Sequence, residues 1–241
     1  MHNKHCFLRG APFAAGVLLL ITLLWTVCYT VLAFVRLLPL EKLIAVGDVY
    51  QLALGLGATV VLFTRLKRTQ RKYILLGTGL AVFSWTVGQL FWFSYTLLAD
   101  SPLPYPSVGD LGFTGAYFFL IGVISLLSKD SPKIPYAPLA FFILLVPALL
   151  AVGQSALPVK LYNVVLGCAA AYTLYRAIPL GKHKEYRWFL CGILLLAFTD
   201  VVFMISVVYF SDSFTLTSAP LYPLALSVIT YGILKGEADE L

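Results

Sequence analysis

Residues 11–35 read APFAAGVLLLITLLWTVCYTVLAFV, a stretch without a single charged side chain. A helix crossing the hydrocarbon layer of a bilayer needs roughly 20 predominantly apolar residues, and this stretch is longer than that. Seven more apolar runs follow, at about 44–64, 73–98, 108–128, 136–153, 159–179, 188–210 and 219–234. In lipid every backbone N–H and C=O needs a partner inside the protein, so runs of this length become helices. They are too long and too continuous for an outer-membrane barrel, whose strands alternate apolar and polar residues. The fold class this predicts is all-α: a polytopic transmembrane bundle of eight helices forming one domain over 1–241. Pro147 in the fifth run and Pro223 in the eighth are compatible with spans whose neighbours re-satisfy the backbone.

Composition agrees. Sixty per cent of the 241 residues are hydrophobic and 12% are charged, with mean hydropathy +0.90. A soluble domain has too little polar surface to hide that much apolar area. The first run follows Lys4 and Arg9 as a signal peptide would. Its apolar stretch is too long for a signal h-region and no small-residue cleavage site follows, so it reads as a retained span.

The basic residues sort by side. With the N-terminus cytoplasmic, Lys4, Arg9, Arg65, Lys67, Arg68, Arg71, Lys72, Lys129, Lys133, Arg176, Lys182, Lys184, Arg187 and Lys235 all fall on the inner side. Only Arg36, Lys42 and Lys160 fall outside. The positive-inside rule then predicts an inner or plasma membrane protein with both termini cytoplasmic and an even number of spans. The net charge of +6 follows from this sorting. A nucleic-acid partner is not expected, because the charges sit in short inter-helix connections with no domain to present them.

Cofactor chemistry finds little support. Cys28, Cys168 and Cys191 lie inside apolar runs and Cys6 in the leader, without metal-site or redox spacing. His2, His5 and His183 all lie near the predicted inner surface, which excludes a haem held by two intramembrane histidines. The final runs lack a central lysine for a retinal Schiff base. No metal and no cofactor is predicted, and the His2/His5 pair reads as part of the leader.

Weak repetition runs through the chain. Val46-Gly47-Asp48 opens the second run and Val108-Gly109-Asp110 the fourth. Tyr73 to Gly77 (YILLG) opens the third, and Trp188 to Gly192 (WFLCG) opens the seventh. Two parallel four-helix halves, 11–128 and 136–235, would produce both echoes. In that frame Lys160 falls where Asp48 falls.

Polar residues inside the runs carry the functional information, because an ionisable group in hydrocarbon costs roughly 3 kcal/mol on insertion scales unless paired or hydrated. Asp200 lies about 18 Å along a helix from Trp188 and so is expected near mid-bilayer. Thr199 and Gln89 are its expected partners. Two readings stand for it: a hydrogen-bonded carboxyl that pins helices together, or the floor of a ligand cavity. Asp48 and Asp110 are expected in the first turns of their helices, where a carboxylate caps free N–H groups. Ser107 with Asp110 has the S-x-x-D capping form. The alternative is that both acids line an outward vestibule with Lys160 and Arg36. Tyr50, Trp92, Tyr95, Tyr105, Tyr162 and Tyr222 are expected at the same depth, chiefly as an interfacial aromatic belt.

Pro104-Tyr-Pro106-Ser107-Val-Gly-Asp110, leading to Phe113 and Tyr117, is the most distinctive string. It resembles a loop of the multi-span membrane input (sensor) domains that precede bacterial diguanylate cyclase and phosphodiesterase modules. There a proline-serine-aspartate loop enters an in-going helix with aromatics one and two turns on. The resemblance implies a ligand-sensing or ligand-binding protein with an outward-opening polar pocket, here free-standing and signalling through a cytoplasmic partner protein. It implies no enzyme activity. Candidate ligand-binding residues are Asp48, Gln89, Asp110, Tyr117, Lys160 and Asp200, and the expected partners are membrane lipids and a small-molecule or lipid ligand. Gly47-Asp48 and Thr199-Asp200 are similar to elements of eight-span lysoplasmalogenase-type membrane hydrolases. That alternative implies acid–base attack on an ether lipid by the aspartates. A third reading is a small proton-coupled transporter with Asp200 as its coupling site.

Overall fold

The structure, a computed structural model, describes residues 3–35, 37–67, 69–98, 105–128, 156–209 and 219–239. All regular structure among these residues is helical. Seven α-helices are present: α1 (Asn3–Val35), α2 (Leu40–Arg65), α3 (Lys72–Leu98), α4 (Val108–Leu127), α5 (Leu157–Ala177), α6 (Arg187–Tyr209) and α7 (Leu221–Asp239). Two short 3₁₀ turns, Ile178–Lys182 and Lys184–Tyr186, join α5 to α6. The fifth apolar run, 136–153, lies outside the described residues, as do Arg36, Asp100 and Pro104.

Helices α1 to α6 each carry a segment long and apolar enough to cross a membrane. Helix α7 does not share that property. Its apolar stretch stops at Leu234, and Lys235, Glu237 and Asp239 occupy its last turns. Its position explains how this is tolerated. Ala225, Leu226, Ser227, Ile229, Thr230, Ile233 and Leu234 are all buried, so α7 is enclosed by protein on most of its circumference. Helix α1 is the opposite case: Phe13, Leu20, Leu24, Val27, Val31 and Phe34 are exposed, forming a face suited to lipid.

The helices close on themselves laterally. Each packs on the next described helix along the chain, and α7 returns to pack on α1 while also touching α2 and α3. Without a hydrophobic force between helices in lipid, such contacts depend on close approach of small residues. Gly112 of α4 is one such place: a Cβ there would lie 2.6 Å from the Ser84 carbonyl oxygen and 2.7 Å from the Gly88 nitrogen of α3. The Ser84 hydroxyl donates to the Gly112 carbonyl at 2.9 Å across the same contact. Gly232 of α7 is another, where a Cβ would lie 2.2 Å from the Phe189 nitrogen of α6.

Helix directions follow from these contacts. Tyr162, early in α5, donates to the Asp110 carbonyl early in α4, so both helices start at one end of the bundle, the Ser107 end. Arg71, before α3, donates to the phenol of Tyr186, before α6, at the other end. One expectation is borne out and one corrected. Helix α1 starts at Asn3, and its membrane-crossing segment, Pro12–Val35, coincides with the first apolar run. Helix α2 starts at Leu40 behind Pro39, with Glu41 in its first turn. Asp48 therefore lies two turns inside α2 rather than at its start, and cannot cap it.

Candidate functional site

Helix α4 begins with a reciprocal cap. The Ser107 backbone N–H donates to Asp110 Oδ2, and the Ser107 hydroxyl donates to the same oxygen at 2.9 Å. The S-x-x-D spacing makes this possible because residue N3 of a helix faces back over the N-cap. The cap holds Asp110 at 1% exposure, facing into the bundle. Its other carboxyl oxygen, Oδ1, is buried without a hydrogen-bond partner among the described residues. The Asp110 carbonyl accepts from Thr114 at 3.0 Å and from Tyr162 at 3.2 Å, so α4 and α5 meet at this residue.

Two turns further along α4, the Tyr117 phenol donates to Asp200 Oδ2 of α6. The other oxygen, Oδ1, accepts from Tyr222 of α7 at 2.7 Å. A single carboxyl thus ties three helices together, and all three side chains are buried or partly buried. Tyr222 is the second residue of α7, whereas Tyr117 lies midway along α4 and Asp200 just past the middle of α6. Thr199 is not its partner; that hydroxyl turns back to the Leu195 carbonyl of its own helix at 2.7 Å. Gln89 is not its partner either. The Gln89 amide donates instead to Asp48 Oδ1 at 3.0 Å, joining α3 to α2.

Aromatic rings stand around Asp110 and Asp200. Tyr105 stands nearly perpendicular to Tyr162 (centroids 5.4 Å, 87°) and to Phe203 (5.9 Å, 74°). Phe203 in turn meets Trp92 edge-on at 6.1 Å. Trp85 packs on Phe113 and Tyr222 at 5.6 and 5.5 Å. These rings and acids form one electrostatic group: Asp200 acts on Tyr105, Tyr117, Tyr162 and Tyr222, and Asp110 acts on Tyr105 and Tyr162. Tyr105 lies just before α4. Its burial, with Tyr162, Asp110 and Asp200 nearby, pushes its phenol well above the ordinary tyrosine range and keeps it a neutral donor.

Beside Tyr105 lies Asn163 of α5, fully buried in an otherwise apolar stretch. The Tyr105 hydroxyl donates to its Oδ1, while its Nδ2 has no hydrogen-bond partner among the described residues. Asp110 and Asp200 meet no lysine, arginine or histidine partner among those residues, and no group of three or more metal-ligating side chains occurs there.

Of the six residues singled out by sequence, Asp110, Tyr117 and Asp200 come together in this cluster, while Asp48 and Gln89 form their own pair. Lys160 stands half-buried in the first turn of α5, one turn from Asn163. The predicted aromatic belt divides. Tyr105, Tyr162 and Tyr222 turn into the bundle, Tyr50 stacks on Trp25 at 4.2 Å, and Tyr95 pairs with Phe91 at 6.4 Å. Asn163, Trp85 and Phe203 escaped notice. For Asn163 a signal existed, since it is an amide inside an apolar run, which calls for a partner as an acid does. Compared with protein-family models, curated proteins and solved structures, the chain matches none.

Proposed function

We propose that the chain is an integral membrane ligand-binding protein of the inner or plasma membrane. Its binding site is the aromatic and acidic cluster at the Ser107 end, which opens outward, and both termini are cytoplasmic. The observation that carries this reading is the convergence of two buried carboxyls, four phenols and an incompletely bonded amide from α4 to α7 and the segment before α4. Within the cluster Asn163 Nδ2 and Asp110 Oδ1 are both buried without a hydrogen-bond partner among the described residues, and leaving such a group unpaired costs about 1–3 kcal/mol. A ligand that supplies the missing partner removes that cost.

The charge distribution supports the orientation. Arg65, Lys67, Arg71, Lys72, Arg176, Lys182, Lys184, Arg187 and Lys235 lie toward the Arg71 end, against Lys42 and Lys160 at the Ser107 end. A sensing role, with output to a partner protein at the basic face, accords with the resemblance of the Pro106–Asp110 loop to membrane input domains. The hydrolase reading has less support, since Asp48 and Asp200 share no partner among the described residues.

A thermal-stability screen of the purified protein against small molecules tests the reading. A ligand at a hundred times its Kd stabilises by about 2.7 kcal/mol. The expected result is such a stabilisation in the wild type, reduced in Asn163→Leu and retained in Asp48→Asn. Equal stabilisation of all three proteins by every active compound would place binding elsewhere.

A further inference from the structure

The site described above combines three features that together restrict the chemistry of its ligand. First, Asp110 and Asp200 are 1% and 4% exposed, and neither has a cationic partner among the described residues. An anionic ligand would meet like charge there, whereas a cation lets both acids stay ionised in a poorly hydrated place. Second, the walls are rings set at right angles. Tyr105 makes a corner with Tyr162 on one side and with Phe203 on the other. The negative faces of such rings attract a bulky organic cation. A bare divalent metal instead demands six or more oxygen ligands or a cluster of His, Cys and carboxylate groups, and the described residues offer no such group. Third, Asn163 is fully buried and has satisfied one of its two amide atoms, through Tyr105. Whichever way that amide is turned, one polar atom is left over. A hydroxyl, both donor and acceptor, satisfies either arrangement.

Building on the ligand-site reading, we propose that the cluster binds an organic ammonium bearing a nearby hydroxyl, with the cation against the faces of Tyr105, Tyr162 and Phe203 and the hydroxyl on Asn163. The carboxyls of Asp110 and Asp200 balance the charge from beneath. The same chemistry exists as a free amino alcohol and as the head of a sphingoid lipid, whose amino and hydroxyl groups are both free, and the test separates the two.

Trp85 and Trp92 stand among these rings, so tryptophan fluorescence reports occupancy. The full chain, purified in a sugar-headgroup detergent, is titrated with choline, with tetramethylammonium and with dimethylbutanol, the uncharged carbon isostere of choline. Choline is expected to bind at least about 30-fold more tightly than the isostere, the ratio that a desolvated cation–π interaction provides. Tetramethylammonium, lacking the hydroxyl, is expected about 10-fold weaker than choline, the ratio one hydrogen bond supplies. In Asn163→Leu that last difference disappears, and in Tyr105→Leu both cations weaken. Asp48→Asn, outside the cluster, changes neither. A short-chain N-trimethylated sphingoid base below its micellar concentration then assigns the source: binding tighter than choline names a lipid head, and weaker binding names the free amine. The wild-type comparison alone suffices if a variant does not fold. Isostere and choline binding equally well would overturn the ammonium while leaving a ligand site. No saturable change with any ammonium below about 10 mM overturns it as well.

Discussion

Replacing Tyr117 by phenylalanine should have opposite consequences in two backgrounds. In the wild type the Tyr117 phenol donates to Asp200, whose second oxygen accepts from Tyr222 at 2.7 Å. Hydrogen bonds between helices in a membrane are worth about 0.6 kcal/mol on average and about 1.7 at most. Asp200 and Tyr117 are both almost wholly buried, so the upper part of that range applies and Tyr117→Phe should cost about 1–1.7 kcal/mol. In Asp200→Leu the phenol has already lost its acceptor. There Tyr117→Phe removes a stranded hydroxyl, and stability should stay level or rise by up to about 1 kcal/mol. Asp200→Leu alone is a poor test, since removing a buried acid and adding apolar volume offset the loss of two hydrogen bonds. The cycle isolates the pair. Unfolding in mixed micelles by titration with sodium dodecyl sulfate, followed by circular dichroism, gives the four stabilities needed. Equal costs for Tyr117→Phe in the two backgrounds, within about 0.3 kcal/mol, would refute the coupling of α4 to α6 through this carboxyl.

Two further outcomes follow from the packing and the charge pattern. Gly112→Val drives a side chain into the Ser84 carbonyl and the Gly88 backbone, so it should destabilise by at least about 1–3 kcal/mol in the same unfolding assay, whereas Gly122→Ala, with nothing within 4 Å, should be near neutral. With the four native cysteines replaced by serine, Leu38→Cys should react with a membrane-impermeant thiol reagent in intact cells and Gln70→Cys only after permeabilisation. The reverse pattern would invert the topology.

Much of the helical layout was legible because hydrocarbon imposes a length on any crossing helix. The apolar runs 73–98 and 188–210 differ from α3 and α6 by a residue at each end or less. Asp200 was legible as a problem, since a carboxyl within Phe198–Phe203 needs a partner. The capping pair Ser107 and Asp110 was legible from spacing alone. The start of α2 was missed because Pro39 and Glu41 open a helix before its apolar run begins, which moved Asp48 from a cap to an interior position. Which acid meets which donor was not legible. Apolarity surrounds nearly every helix here, so the sequence pattern does not say which face turns toward which neighbour. Gln89 thus served Asp48, while Asp200 drew its donors from Tyr117 and Tyr222 on helices distant in sequence. The same uniform apolarity concealed the enclosed position of α7, which its charged last turns alone foreshadow.

The account stands on the cluster around Asp110, Asn163 and Asp200 being a place where a ligand sits. Native mass spectrometry of the purified chain, released gently from its detergent micelle, tests that most directly. The expected spectrum shows a non-covalent adduct of one defined mass at one copy per chain, held by the wild type and by Asp48→Asn but lost from Asn163→Leu. The bare mass of the chain in every preparation, with no adduct recovered after incubation with membrane extract or amino alcohols, would contradict it.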